Sequence, residues 1–201
     1  MKPISRIYDE EVTKLRSDDW NDDAENTVRQ LPTFQSTKKS LYNARRTQTP
    51  QLPRTIQDIN LEGKWTQTTA GEEFLLLDDG DQSRIMALAT SDNLIDLCNA
   101  DTLFCDRMFY TCPTQFHQIY TVHARIGDQM YPLLYSLLPS KGQATYQRLF
   151  TFLKTKMTKL NLQLNPTTVF LDFEAAAHNA ICAVFPAVSL KGCFFQYTSV
   201  F

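Results

Sequence analysis

The sequence predicts an α/β fold built on a mixed sheet, and three observations carry that expectation. Residues 168–171 (TVFL) form a β-branched and apolar run that opens after the turn signal Asn165-Pro166, the pattern of a strand buried on both faces. Two stretches of helical periodicity flank this run. The first, 143–160, places Tyr146, Leu149, Phe150, Leu153, Met157 and Leu160 on one stripe; the second, after Asp172, turns Phe173, Ala176, Ala177, Ala180, Ile181 and Val184 inward. Three strands joined by short turns precede both, over 102–138. Hairpin-linked strands followed by helix-joined ones imply antiparallel and parallel pairing within one sheet, with helices on its faces.

Taken in order, residues 1–30 crowd Asp18, Asp19, Asp22 and Asp23 together and read as a linker, with Ile7, Val12 and Leu15 hinting at one short helix. Leu31-Pro32-Thr33 is a stop and restart: Thr33 or Ser36 caps a helix to about Arg46, whose basic side carries Lys38, Lys39, Arg45 and Arg46. Turn chemistry at 78–81 (DDGD) joins two apolar runs into a hairpin, and Ser91 caps a short helix through Leu97 and Cys98. In the first strand of the trio, Phe104, Asp106, Met108 and Tyr110 share a face by the period of two. The second covers 117–124 and the third 131–138; a last strand spans 188–197, after Pro186 closes the final helix. These elements divide the chain into a linker-like segment (1–30), an approach segment of helix, hairpin and short helix (31–100), and a sheet domain (101–201).

Composition sets the bounds. The 201 residues are 43% hydrophobic and 21% charged, ordinary for a globular domain with one core. No run of 18 apolar residues exists to span a membrane, and the start lacks the apolar core of a secretory leader. Five cysteines without Cys-x-x-Cys spacing predict reduced thiols in an intracellular protein. The net charge of −2 conceals a segregation: 28–54 holds six basic residues and no acid, and 140–171 holds five and no acid. Such tracts suit phosphate backbones, although either one taken singly reads as a solvated face.

Two acids stand out. Asp172 ends a central strand, where ligands of open α/β sheets bind. Asp106 lies mid-way along the first strand of the trio, and adjacency of these strands would make the two carboxylates neighbours. Three antiparallel strands, helix, strand, helix, strand, with that pair of acids, is the ribonuclease H-like arrangement.

Four stretches then carry a resemblance to a family. DRMFYTCPTQFHQIYTVHA, PLLYSLLPSKGQATYQRLF, TTVFLDFEAAAHNAI and LKGCFFQYTSVF together resemble the signatures of Mutator-like element (MULE) transposase domains, and LPTFQSTKKSLYNARR resembles a segment that precedes such domains. The set is specific jointly, whereas any one piece is weak. The resemblance implies a DDE-type polynucleotidyl transferase with a ribonuclease H-like core, working on transposon terminal repeats and target DNA in the nucleus, with a second copy of the chain as a further candidate partner and no membrane. Asp106 matches the family's first catalytic Asp and Asp172 its second. Arg107 stands where the family has glycine, and Gln196 where it has the histidine that follows Cys193. The family's third acid, a Glu on a later helix, has no counterpart here, so the chain reads as a fragment truncated at both ends and incomplete at the C-terminal side of the sheet.

Such chemistry uses two Mg²⁺ or Mn²⁺ ions about 3.5–4 Å apart, held by clustered carboxylates; by resemblance Asp106 bridges both ions and Asp172 holds one. Against this, Asp106 could be a solvated strand acid or one paired with Arg107, and Asp172 a helix cap. Glu174 is expected to serve the helix start electrostatically. His117, His123 and His178 are assigned to no metal, and Cys193 is expected to be an apolar side chain. The aromatic residues around 104–120 are expected in the core rather than as base-stacking platforms. Lys154, Lys156 and Lys159 could touch phosphates or solvent. Two functions follow: a metal-dependent DNA strand-transfer domain with little activity alone, or a decayed or domesticated relic that binds DNA or protein and catalyses nothing.

Overall fold

The computed structural model describes residues 2–14, 22–47 and 51–192. They fall into two compact units, 1–52 and 53–201. The first is helical: α1 (Ile4–Lys14), α2 (Asp22–Gln30) and α3 (Phe34–Thr47). The expected linker thus carries two helices, one more than Ile7, Val12 and Leu15 suggested. Tyr8 packs its ring on Phe34 at 5.7 Å and donates its hydroxyl to the Pro32 carbonyl, while Arg45 donates to the Lys2 carbonyl at 2.9 Å. Of the two candidate caps, Thr33 acts: its Oγ1 accepts from the Ser36 N–H at 3.3 Å.

The second unit is α/β. Its strands are β1 (Leu75–Asp78), β2 (Met86–Leu88), β3 (Thr102–Met108), β4 (Gln118–Ile126), β5 (Gln129–Leu138), β6 (Thr168–Leu171) and β7 (Ser189–Gly192). Its helices are α4 (Ser91–Asn99), α5 (Gln143–Lys159) and α6 (Ala175–Val184). Among the described residues the strands form one mixed sheet in the order β1-β2-β5-β4-β3-β6-β7. β3, β4 and β5 pair antiparallel, while β3–β6 and β6–β7 pair parallel. The expected hairpin is β1–β2, and it extends the main sheet because β2 pairs with β5.

Period-two alternation gives the sheet a buried face. Leu103, Cys105, Tyr120, Val122, Ala124, Leu134, Leu138, Val169 and Leu171 join the core with Tyr146, Leu149, Phe150, Leu153 and Met157 of α5 and Ala177, Ala180 and Ile181 of α6. Tyr120 meets Tyr146 at 5.1 Å and Phe150 edge-on at 6.1 Å. The opposite face, with Phe104, His123, Tyr135 and Phe170, is half-buried. No described helix is long and apolar enough to cross a membrane, and Cys98, Cys105, Cys112 and Cys182 are free.

Four expectations need correction. Thr90, not Ser91, caps α4: its Oγ1 accepts from the Asn93 N–H, and Asn93 Oδ1 accepts from the Thr90 N–H in return. Leu160 is the C-cap residue of α5 and is 45% exposed. Phe173 lies between β6 and α6, is 61% exposed, and covers Gly192, where an added Cβ would come within 2.7 Å of its ring. Tyr110 lies in the turn after β3 and faces solvent, as does Phe109. The last strand is described to Gly192; its expected continuation to 197, with Cys193 and Gln196, lies outside the described residues.

Candidate active site

β3 and β6 are neighbours in parallel register, Thr102 opposite Thr168, Leu103 opposite Val169 and Phe104 opposite Phe170. The last pair stacks its rings at 5.0 Å. The strand that carries Asp106 and the strand that Asp172 directly follows are therefore adjacent, as expected. The carboxylates take different surroundings. Asp106 is exposed and alternates with Cys105 and Arg107, so it lies on the half-buried face, across from Thr121 of β4. Its Oδ1 accepts from the Arg107 backbone N–H at 2.8 Å. His123 shares that face and bonds Thr121 Oγ1 at 2.8 Å. Burial lowers the His123 pKa, while the Asp106 charge works the other way.

Arg107 reaches the helix-covered face. Its Nε forms an ion pair with Asp172 Oδ2, and its Nη1 donates to Glu174 Oε2 at 2.9 Å. The same Glu174 oxygen accepts from the Tyr146 hydroxyl at 2.7 Å, and that hydroxyl accepts from Gln118 Nε2 at 2.7 Å. A continuous polar chain thus runs Gln118–Tyr146–Glu174–Arg107–Asp172. Asp172 is 5% exposed. Its Oδ1 accepts from the Glu174 N–H at 3.3 Å, so it steadies the turn into α6. His178 bonds the Asp172 carbonyl at 2.8 Å; a carbonyl only accepts, so Nε2 carries the proton. Burial raises the Tyr146 phenol well above its ordinary value, with Glu174 adding to the rise. Burial also pushes the Cys105 thiol up to about 12, and the Asp172 and Asp106 charges add to that.

Glu174 stands at the N-cap position of α6, but its side chain makes no capping bond. It serves Arg107 and Tyr146 instead. Arg107 meets Asp106 through its backbone N–H, while its guanidinium is taken up by Asp172 and Glu174. Sequence reasoning missed the Arg107 bridge to Asp172 and Glu174, the His178 bond and the Tyr146–Gln118 link. The signal present in the sequence was the cation itself, one residue after the first acid.

These residues do not fit a divalent metal pair. Among the described residues no three of His, Cys, Asp and Glu are grouped to hold an ion. A guanidinium is bound to the two carboxylates of the β6–α6 turn, and it repels a second cation there. The histidines are engaged by protein groups: His123 by Thr121, His178 by Asp172, and His117 edge-on by Phe109 at 6.1 Å.

A family model, the MULE transposase domain, matches residues 102–199. Over that span the chain is similar to MULE transposase domains. A search of curated proteins finds no match. Within the matched span fall β3 to β7, both acids, Arg107, Tyr146 and Glu174.

Proposed function

We propose that this chain is a DNA-engaging domain descended from a DDE-type Mutator-like transposase with a ribonuclease H-like core. Asp106 and Asp172 are its inherited catalytic acids, and in this chain it binds DNA in the nucleus without cutting or joining it. The observation that carries the reading is the state of Asp172, buried and ion-paired to Arg107. A carboxylate committed to an internal cation and to a helix start is not available to phosphodiester chemistry. The adjacency of β3 and β6 supports common descent of the two acids. Lys154 and Lys159, exposed on α5, and Lys38, Lys39 and Arg46, exposed on α3, supply cations for sequence-independent phosphate contacts.

A gel shift with duplex DNA at low salt tests this reading, run beside a nicking assay with Mg²⁺ or Mn²⁺. Binding is expected to survive chelation and to survive the double change Asp106→Asn, Asp172→Asn. Its affinity is expected to fall as salt rises, with a slope set by the few phosphates contacted. Divalent-dependent nicking that vanishes in Asp106→Asn would sink the proposal and restore the strand-transfer enzyme.

A further inference from the structure

We infer that Arg107 is a built-in replacement for a divalent cation: its guanidinium fills the position between Asp172 and Glu174 and closes it to Mg²⁺ and Mn²⁺. The inference rests on the descent proposed above, and it concerns the residue that stands where the family has glycine. Four observations carry it. The guanidinium bridges two carboxylates that belong to one short turn, Nε to Asp172 and Nη1 to Glu174. All three side chains are largely withdrawn from water, at 24%, 7% and 15% exposure. The Tyr146 hydroxyl holds Glu174 from the other side at 2.7 Å, so that carboxylate is fixed toward the arginine rather than free to turn. The ring of Phe109 lies 5.5 Å from the guanidinium carbon and covers it.

A buried pair of carboxylates needs a cation, since two unpaired charges in a dry turn are strongly destabilising. A dication and a guanidinium are alternative solutions to that requirement, and they exclude each other by repulsion. Mg²⁺ and Mn²⁺ take oxygen donors and keep several waters. Asp172, Glu174 and the Tyr146 hydroxyl would present such donors once the guanidinium is gone. The domain should therefore fold without divalent ions, and loss of Arg107 should make it dependent on them.

The test uses the full chain, stripped with a chelator and titrated with Mn²⁺, with bound ion read by electron paramagnetic resonance and stability by thermal melting. The parent protein is expected to show no site-bound Mn²⁺ and no shift in melting temperature. Arg107→Ala is expected to melt earlier in chelator, to recover with Mn²⁺, and to bind the ion at least about tenfold more tightly than the parent. The gain should disappear in Arg107→Ala combined with Asp172→Asn. Arg107→Lys, which keeps a cation, should stay closed. An Arg107→Ala protein that folds only with Mn²⁺ upholds the inference. A folded Arg107→Ala protein that gains no affinity overturns it. Mn²⁺ bound by the parent protein and lost in Asp172→Asn also overturns it, whether or not Arg107→Ala folds. Loss of DNA binding with these metal results intact would remove the functional reading and leave the arginine's role standing; Mn²⁺ binding by a parent protein that still shifts DNA would do the reverse.

Discussion

Tyr146 shows how one hydroxyl can tie a helix to both sides of a site. It accepts from Gln118 on β4 and donates to Glu174 at the start of α6, while its ring fills the space beside Tyr120. Tyr146→Phe keeps the ring and removes both bonds, leaving a buried amide donor and a carboxylate oxygen each short of one partner. A loss of about 1–3 kcal/mol is expected in urea unfolding, with the slope of the transition unchanged. A variant as stable as the parent would show that water or a neighbour takes the hydroxyl's place. The placement of Asp106 on a strand and of Asp172 just after one was legible from period-two alternation and the apolar run at 168–171. Their partners were not. Arg107 reaches residues 65 and 67 positions away along the chain, and the choice among acids within reach of so long a side chain is made by packing.

β1 and β2 owe part of their stability to one ion pair. Arg84 binds Asp78 with Nε at 2.6 Å and with Nη2, and its Nη1 donates to the carbonyls of Ile56 and Ile59 at 3.0 and 2.8 Å. One guanidinium thus fastens the hairpin to the chain that leads into it. The bond to Arg84 holds the Asp78 carboxyl below its ordinary pKa, against a smaller opposing effect of burial. A folded-state pKa lower than the unfolded one adds stability above the unfolded value and loses it as pH falls through the folded one. Asp78→Asn is therefore expected to destabilise at pH 7 by about 2 kcal/mol, discounted for partial exposure. That penalty should begin to shrink as pH falls below about 4, where the unfolded carboxyl protonates, and vanish at the lower pH where the folded one does; melting curves across pH read both effects. Element types were readable from periodicity, as in α5, whose predicted stripe is buried from Tyr146 to Met157. Element ends were less so: Leu160 and Phe173 fit the spacing, but the backbone leaves the helical path at those residues and turns them to solvent.

At the scale of the second unit, the family match begins at 102 while the sheet begins at Leu75. β2 lies along β5, Met86 opposite Leu137 and Leu88 opposite Tyr135, and Leu94 and Leu97 of α4 enter the same core. Residues 102–192 produced alone would bare the β5 edge and the apolar surface that α4 covers. An unpaired edge of this kind invites association. Residues 53–192 are expected to give a monomer by light scattering and 102–192 to give aggregates; a monodisperse, cooperatively melting 102–192 would refute this. The hairpin itself could be read from its turn residues, but its docking on β5 could not, because alternation along a strand says nothing about which distant strand lies beside it.

Parity along β3 carries a last implication. Asp106 and Arg107 occupy consecutive positions and open onto opposite surfaces of the sheet. Inserting or deleting a single residue just before them would exchange the two environments, driving the acid into the helix-covered interior and the guanidinium into water. Even-numbered spacing from Leu103 through Cys105 to Arg107 is what sets the guanidinium, and not the acid, against the helices.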